Sequence, residues 1–387
     1  MSRIPAKLEP EWSVLLTACS MLPAEAKLPQ LRSKLQSPVR WPSLFALAER
    51  HGVQPLLSQA LHSIPEAIPA EEMRLLQQNA QTNLHKALLL SRELIRVLRH
   101  LSDFEFDVMP YKGPALAESL YGDIALRQAG DIDLLVRRDE LRRVEDSLAK
   151  LGYTPHARLS EMQQRAYLKS GYETVFDGPA GRNVLEVQWA ILPRFYTVDF
   201  DMSGIFERGV AATVAGQTMK TPSPGDLLLI LSVHTAKHVW GRLIWICDLA
   251  RLITLPSLDW DWIASQAREL GITHIVHISL LLANRLLGTA IPVKAQNWLD
   301  ERRLEPNLVS DVEQHLFRES GFSVESISYF RLMMRLRERR SDRLRFLSRL
   351  VLTPGPSEWS MVRLPASLFP LYRLVRLSRL TARMLRV

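Results

Sequence analysis

The sequence predicts an α+β protein, with a small mixed sheet in mid-chain and helical regions on either side. Apolar residues recur every three or four positions over residues 11–101 and again from 227 to 350, which is the helical period. Short β-inclined or alternating runs, at 106–111, 131–136, 172–176 and 184–189, lie only between those regions. The chain therefore divides into a helical N-terminal region 1–103, a core 104–215 that carries the strands, a helical domain 216–350 and a basic amphipathic tail 351–387.

In chain order, helices are expected over 12–22, over 41–63 with Gly52 as an interruption, and over 70–101. Lys112-Gly113-Pro114 opens a helix over 115–121, with proline in its first turn and Gly122 at its end. A loop carrying Arg127 leads to the 131–136 strand, and Leu141, Val144, Leu148 and Leu151 then mark one face of a helix ended by Gly152. The 172–176 and 184–189 runs flank Asp177-Gly-Pro-Ala-Gly-Arg-Asn183, a turn-rich connection typical of a hairpin. In the second run Val184, Glu186 and Gln188 share one face and Leu185, Val187 and Trp189 the other, so a carboxylate stands in mid-strand. Ser223-Pro224-Gly-Asp226 supplies cap, proline and acidic first turn for a helix over 227–240, and a second helix follows over 242–253. Residues 260–350 are helical by periodicity, and Thr353-Pro-Gly-Pro-Ser357 breaks the run.

At 387 residues, 47% hydrophobic and 23% charged, the composition is that of a globular chain with room for two or three domains. Cys19 and Cys247 are the only cysteines, each in an apolar stretch, which excludes a disulfide framework and a Cys-rich zinc site. They are expected to be buried thiols in a reducing compartment. The first residues lack the apolar segment of a signal peptide, and no run of about 18 uncharged apolar residues occurs, so a cytoplasmic protein is expected.

The net charge of +8 is uneven, because residues 331–387 hold fourteen Arg and no Lys against Glu338, Asp342 and Glu358, a local +11 that leaves −3 elsewhere. In the tail Leu364, Leu368, Leu371, Leu374 and Leu377 interleave with Arg363, Arg373, Arg376 and Arg379, while Pro365 and Pro370 shorten the amphipathic stretch. The leucines are expected to dock on the helical domain with the arginines in water. Peripheral contact with an anionic membrane or nucleic acid is the alternative.

Asp131-Ile-Asp133, within Gly130-Asp131-Ile-Asp133-Leu-Leu-Val136, is the strongest chemical signal. Strand alternation puts both carboxylates on one face, where like charges resist joint ionisation unless a cation sits between them. Mg²⁺ (or Mn²⁺) is the natural occupant, being hard and usually held by one or two carboxylates with substrate phosphates. Metal-dependent phosphoryl or nucleotidyl chemistry is therefore expected. His234 and His238, four apart on a helix, have a zinc-ligand spacing but no adjacent glutamate or third-ligand pattern. They are expected to be packed or to line a substrate pocket, Trp240 and Trp245 to lie in the core, and Asp248 to cap or salt-bridge within the helical domain.

Tyr111-Lys112-Gly113-Pro-Ala-Leu-Ala, Leu120-Tyr-Gly-Asp, Arg127 and Gly130 to Val136 together resemble the uncharacterised nucleotidyltransferase family of the DNA polymerase beta-like superfamily. The similarity continues through Leu185-Glu186-Val-Gln188-Trp189, His234-Thr-Ala-Lys237-His238, Arg242 to Trp245, Asp248 and the tail. It implies a polymerase beta-like core and a two-metal displacement at the α-phosphorus of a nucleoside triphosphate, with pyrophosphate leaving. In that scheme Asp131 and Asp133 hold the ions, and Glu186 completes the second ion's shell or orients the attacking hydroxyl. Lys112, Gly113, Arg127 and Lys237 surround the triphosphate. The acceptor, whether small molecule, protein side chain or RNA end, stays open.

Two positions depart from the family pattern. Lys112-Gly113-Pro114 replaces a Gly-Ser or Gly-Gly pair, although the glycine still lets backbone amides approach a phosphate at a helix start. Gln188 stands where relatives often carry His, and a carboxamide cannot act as a base. These changes sustain the alternative of a catalytically silent nucleotide- or partner-binding protein. A DxD glycosyltransferase using a sugar nucleotide is disfavoured, since that fold puts a Rossmann-like unit ahead of its DxD and this chain puts helices there.

Overall fold

Glycine and proline punctuate the first hundred residues into five helices: α1 (Glu9–Cys19), α2 (Ala24–Leu35), α3 (Trp41–Arg50), α4 (Gln54–His62) and α5 (Ala70–Ser102). The computed structural model describes residues 8–181, 184–301, 304–305, 307–318 and 326–384. The end of the Asp177–Asn183 connection, parts of the 260–350 run and the last three residues of the tail lie outside the described residues. α3 and α4 separate at Gly52, whose φ of +70° is left-handed. α2 has no counterpart in the sequence reading because it carries Pro29 and buries only Leu31, so it shows no apolar stripe.

A five-stranded mixed sheet, ordered β1-β2-β5-β4-β3, forms the centre. Its strands are β1 (Val108–Pro110), β2 (Asp131–Val136), β3 (Thr154–Pro155), β4 (Glu173–Asp177) and β5 (Val184–Gln188). β2 and β5 run parallel, and every other neighbour is antiparallel. The parallel register sets Asp133 opposite Glu186, and the β4–β5 hairpin sets Glu173 opposite Gln188. Residues paired in register share a face, so the sheet alone brings these four side chains to one side. Helices α6 (Gly113–Tyr121), α7 (Leu141–Lys150), α8 (Glu161–Ser170) and α9 (Met202–Glu207) surround it. A two-stranded ribbon, β6 (Val210–Val214) with β7 (Gln217–Thr221), packs near α6 and β1.

The helical domain comprises α10 (Pro224–Lys237), α11 (Leu243–Ile253), α12 (Trp260–Leu270), α13 (Thr273–Leu287), α14 (Val293–Glu301), α15 (Leu308–Leu316), α16 (Ile327–Leu336) and α17 (Arg340–Leu352). The Ser223 hydroxyl caps α10 through the Asp226 amide, as the cap–proline–acid sequence predicts. One apolar core runs from Trp12, Leu15 and Leu57 in the leader to Leu249 and Ile278 here, so the N-terminal helices and this domain are packed as one body. A second core lies under the sheet, and α5 joins the two: Leu76 belongs to the first, Leu94, Val97 and Leu101 to the second. Cys19 and Cys247 are both buried and free. Among the described residues no helix is long and apolar enough to cross a membrane.

The tail forms α18 (Pro356–Met361), a 3₁₀ segment (Ala366–Leu371) and α19 (Tyr372–Met384). It docks on α17, but the opposite way round from the sequence expectation: Arg376 is buried, while Leu368, Leu371, Leu374 and Leu377 are exposed. The cause is Glu358, fully buried and paired with both Arg376 and Arg379, which pulls the cationic face inward.

Candidate active site

The chain reaches the site first at the start of α6. Gly113 has φ +57°, and a Cβ there would stand 3.0 Å from the Asp131 carbonyl oxygen. The loop can lie against β2 only because this residue has no side chain. Gly113→Ala is expected to cost about 1–2 kcal/mol from left-handed backbone strain alone, before any displacement of Asp131. An unchanged thermal midpoint would show that the glycine is not required.

β2 and β5 present Asp131, Asp133 and Glu186, and β4 adds Glu173, a fourth carboxylate that the sequence reading did not single out. Burial, and then the charge of Asp133, raise the pKa of Asp131. Burial followed by Asp133 and Glu173 pushes Glu186 up to about 8. Glu173 is raised as well, chiefly by burial. So much negative charge in a half-dry pocket is held by two neighbours. Lys112 Nζ donates to Asp133 Oδ1 at 2.8 Å, and although burial works against the ammonium, Asp133 keeps its pKa above the ordinary lysine range.

Gln188, 2% exposed, is the second neighbour. Its Nε2 faces Glu186 Oε2 at 3.1 Å, Asp133 Oδ1 at 3.3 Å and Glu173 Oε2 at 3.4 Å, while Tyr111 Oη donates to its Oε1 at 2.6 Å. The opposite amide orientation would aim an oxygen at three carboxylates, so this arrangement fixes the carboxamide. The residue that cannot act as a base therefore acts as a spacer among the acids.

The opposite wall comes from the helical domain. Val239 (φ +55°) and Trp240 (φ +50°) are consecutive left-handed residues, unusual for a β-branched and a bulky side chain, and they turn the chain sharply between α10 and α11. That turn brings Lys237, His234, His238 and Trp245 to one pocket. Lys237 Nζ donates to Tyr172 Oη at 2.8 Å. The His234 and His238 rings lie 5.0 Å apart and each 5.2 Å from Trp245. Burial and the surrounding cations keep both histidines neutral, with His238 pushed down to about 3 and His234 also well below its usual value. Trp240 is core as expected, but Trp245 lines the pocket.

Arg127 lines the same pocket and is 6% exposed. Its guanidinium grips Asp248 of α11, with Nε 2.9 Å from Oδ1 and Nη2 2.9 Å from Oδ2, and Tyr121 Oη adds a bond of 2.7 Å. Asp248 therefore bridges from the helical domain to the core instead of pairing within its own domain.

The pocket encloses about 410 Å³ and contains every candidate residue from the sequence except Gly113. At Gln128, Ala129 and Gly130 it meets a cleft of about 600 Å³ bordered by Asn79, Asn83 and Lys86 of α5. Among the described residues no three acidic, His or Cys side chains form a ready metal cage. Lys112 and Gln188 stand between the carboxylates instead. The donor set nevertheless suits a hard divalent ion: Asp131, Asp133 and Glu186 offer oxygen atoms only, and the raised pKa values of Asp131 and Glu186 mark charge that a cation would stabilise. Tyr111, Tyr172, Glu173 and Trp245 are among the pocket residues to which the sequence reading gave no role in the site. For Glu173 a signal existed, since the hairpin register puts it opposite Gln188.

No curated protein and no solved structure matches the chain. The family model described as uncharacterised nucleotidyltransferase matches residues 37–288, which takes in most of the leader, the whole sheet and α10 to α13. With well over half of its length matched, the chain belongs to this uncharacterised nucleotidyltransferase family.

Proposed function

We propose that the protein transfers a nucleoside monophosphate from a nucleoside triphosphate such as ATP to an acceptor hydroxyl, releasing pyrophosphate. One observation carries the reading: Asp133 and Glu186 face each other in register on parallel strands, with Asp131 two residues earlier and a left-handed Gly113 packed on the Asp131 carbonyl. Asp131, Asp133 and Glu186 would hold divalent ions. When bound, such ions supply charge neutralisation on the phosphates and a lowered pKa for an attacking oxygen.

The protein's own groups do the rest. The amides at the start of α6 would donate to the negative triphosphate, and Lys112 and Lys237 would add point charges. Neutral His234 and His238 with Trp245 form a wall that excludes water without adding charge. Gln188 keeps the acids apart and fixes their oxygens. In-line positioning and fixed charge account for most of the rate.

The ion pair between Lys112 and Asp133 supports a second reading, in which the lysine holds a ligand carboxylate and the protein binds nucleotide without transferring it. One experiment separates the two. Incubation with each labelled nucleoside triphosphate and Mg²⁺ or Mn²⁺, with and without cell extract, is expected to yield a labelled product and pyrophosphate. Nucleotide binding with no product under any condition would leave only the silent reading.

If Glu186 acts on the chemical step, Glu186→Gln is expected to lower kcat by about 10²-fold or more while changing nucleotide affinity by less than about threefold. Equal losses in both would mark it as a binding residue.

A further inference from the structure

α19 is folded with its polarity reversed. A solvated amphipathic helix turns its apolar stripe inward, but here Arg376 Nη1 lies 3.2 Å from Glu358 Oε2, Arg379 Nε lies 2.6 Å from Oε1, and Arg376 Nε donates to the Leu350 carbonyl. Tyr372, 1% exposed, adds a second anchor, donating to the Val362 carbonyl at 2.8 Å and accepting from the Leu364 amide at 3.0 Å. With that face pinned, Leu371, Leu374 and Leu377, three apart on one stripe, stand 42%, 60% and 37% exposed, and Leu368 just before them 44%.

The pattern is concentrated in this region. Of the eighteen large apolar side chains exposed among the described residues, nine lie within 344–377, a local density that scattered surface leucines do not produce. The exposed charge carried by this segment itself has one sign. Asp342 and Glu358 are the only carboxylates in the side chains of 340–387 and both are buried, so the exposed side-chain charge there is arginine alone, Arg363 and Arg373 included.

Leucines held in water beside arginines match one kind of surface. Nucleic acid would reward the arginines but not the leucines, and a second copy would bring the same cations to face these. A bilayer with acidic headgroups rewards both. We propose that the outward face of the 3₁₀ segment and α19 docks the protein peripherally on an anionic lipid surface. The ion pairs of Glu358 hold the arginine face inward so that the leucine stripe is presented before any lipid arrives.

The test is co-sedimentation of the full-length protein with vesicles of equimolar phosphatidylcholine and phosphatidylglycerol, against pure phosphatidylcholine, at low and physiological salt. Binding to the acidic vesicles alone is expected, weakened by salt. Leu371→Gln, Leu374→Gln and Leu377→Gln combined should reduce it by about tenfold or more, with only a small shift in the thermal midpoint because the three side chains stand 37–60% exposed. Arg363→Gln with Arg373→Gln should reduce the preference for acidic vesicles and leave melting unchanged. No binding to acidic vesicles, or equal binding by the leucine variant, would overturn the proposal. So would a concentration-dependent dimer that the leucine variant dissolves in the absence of vesicle binding.

Discussion

Asp133→Asn is expected to abolish nucleotidyl transfer and to destabilise the fold, whereas Asp131→Asn should abolish transfer and leave stability unchanged or slightly raised. The activity losses share a cause: each aspartate would hold an ion whose charge stabilisation is worth several kcal/mol in the transition state, so either change should cost at least about 10³-fold in turnover. The stability effects differ because the two side chains have different partners. Asp133 is 2% exposed and carries Lys112 Nζ at 2.8 Å, so a neutral residue there leaves a buried ammonium poorly compensated. Asn still accepts the hydrogen bond, so the expected cost is about 1–3 kcal/mol, less than that of a fully broken buried pair. Among the described residues Asp131 makes no such pair, and it is strained by burial and by Asp133, so removing its charge relieves repulsion, by less than about 1 kcal/mol. Turnover, calorimetric titration of Mg²⁺-ATP and thermal melting of both variants check this. Wild-type turnover in either would remove the ion-holding role, and equal melting shifts would remove the ion pair with Lys112 from the account.

The asymmetry shows what a sequence carries and what it does not. Alternation places Asp131 and Asp133 on one face, and the mid-strand position of Glu186 is visible in the same way, because a strand's period is local. Pairing is not local. The parallel register that puts Glu186 opposite Asp133 spans more than fifty residues, and the contact of Lys112 with Asp133 links a helix start to a strand twenty-one residues away. Glu173 lies in a strand that alternation reveals, yet its membership of the site follows only from the hairpin register. α8 escapes notice for the opposite reason: it buries none of its residues, so no apolar stripe marks it, and only its Ser160–Gln163 capping box gives it away. In the tail the amphipathic pattern is plain, but its direction is set by Glu358, outside the helix, and helix periodicity carries no information about such a partner.

Breaking the Arg127–Asp248 pair should be the most destabilising single change in the pocket wall. Both side chains are buried and the contact is two-pronged. Asp248→Asn or Asp248→Ala leaves a guanidinium without a counter-charge inside the protein, and the alanine also leaves Tyr121 without its acceptor. The expected cost is about 3–5 kcal/mol, read as a fall of several degrees in the thermal midpoint. Replacing both partners with apolar residues, as in Arg127→Met with Asp248→Leu, removes the uncompensated charge together with the pair and should recover most of that loss. Recovery of melting without recovery of function then decides what Arg127 does. If its guanidinium also contacts the triphosphate, the double variant should melt close to wild type and still bind Mg²⁺-ATP about tenfold or more weaker, the worth of one charge-assisted hydrogen bond. If the pair serves only to fasten α11 to the loop before β2, melting and nucleotide affinity should return together, and Arg127 would be an architectural residue that happens to border the pocket.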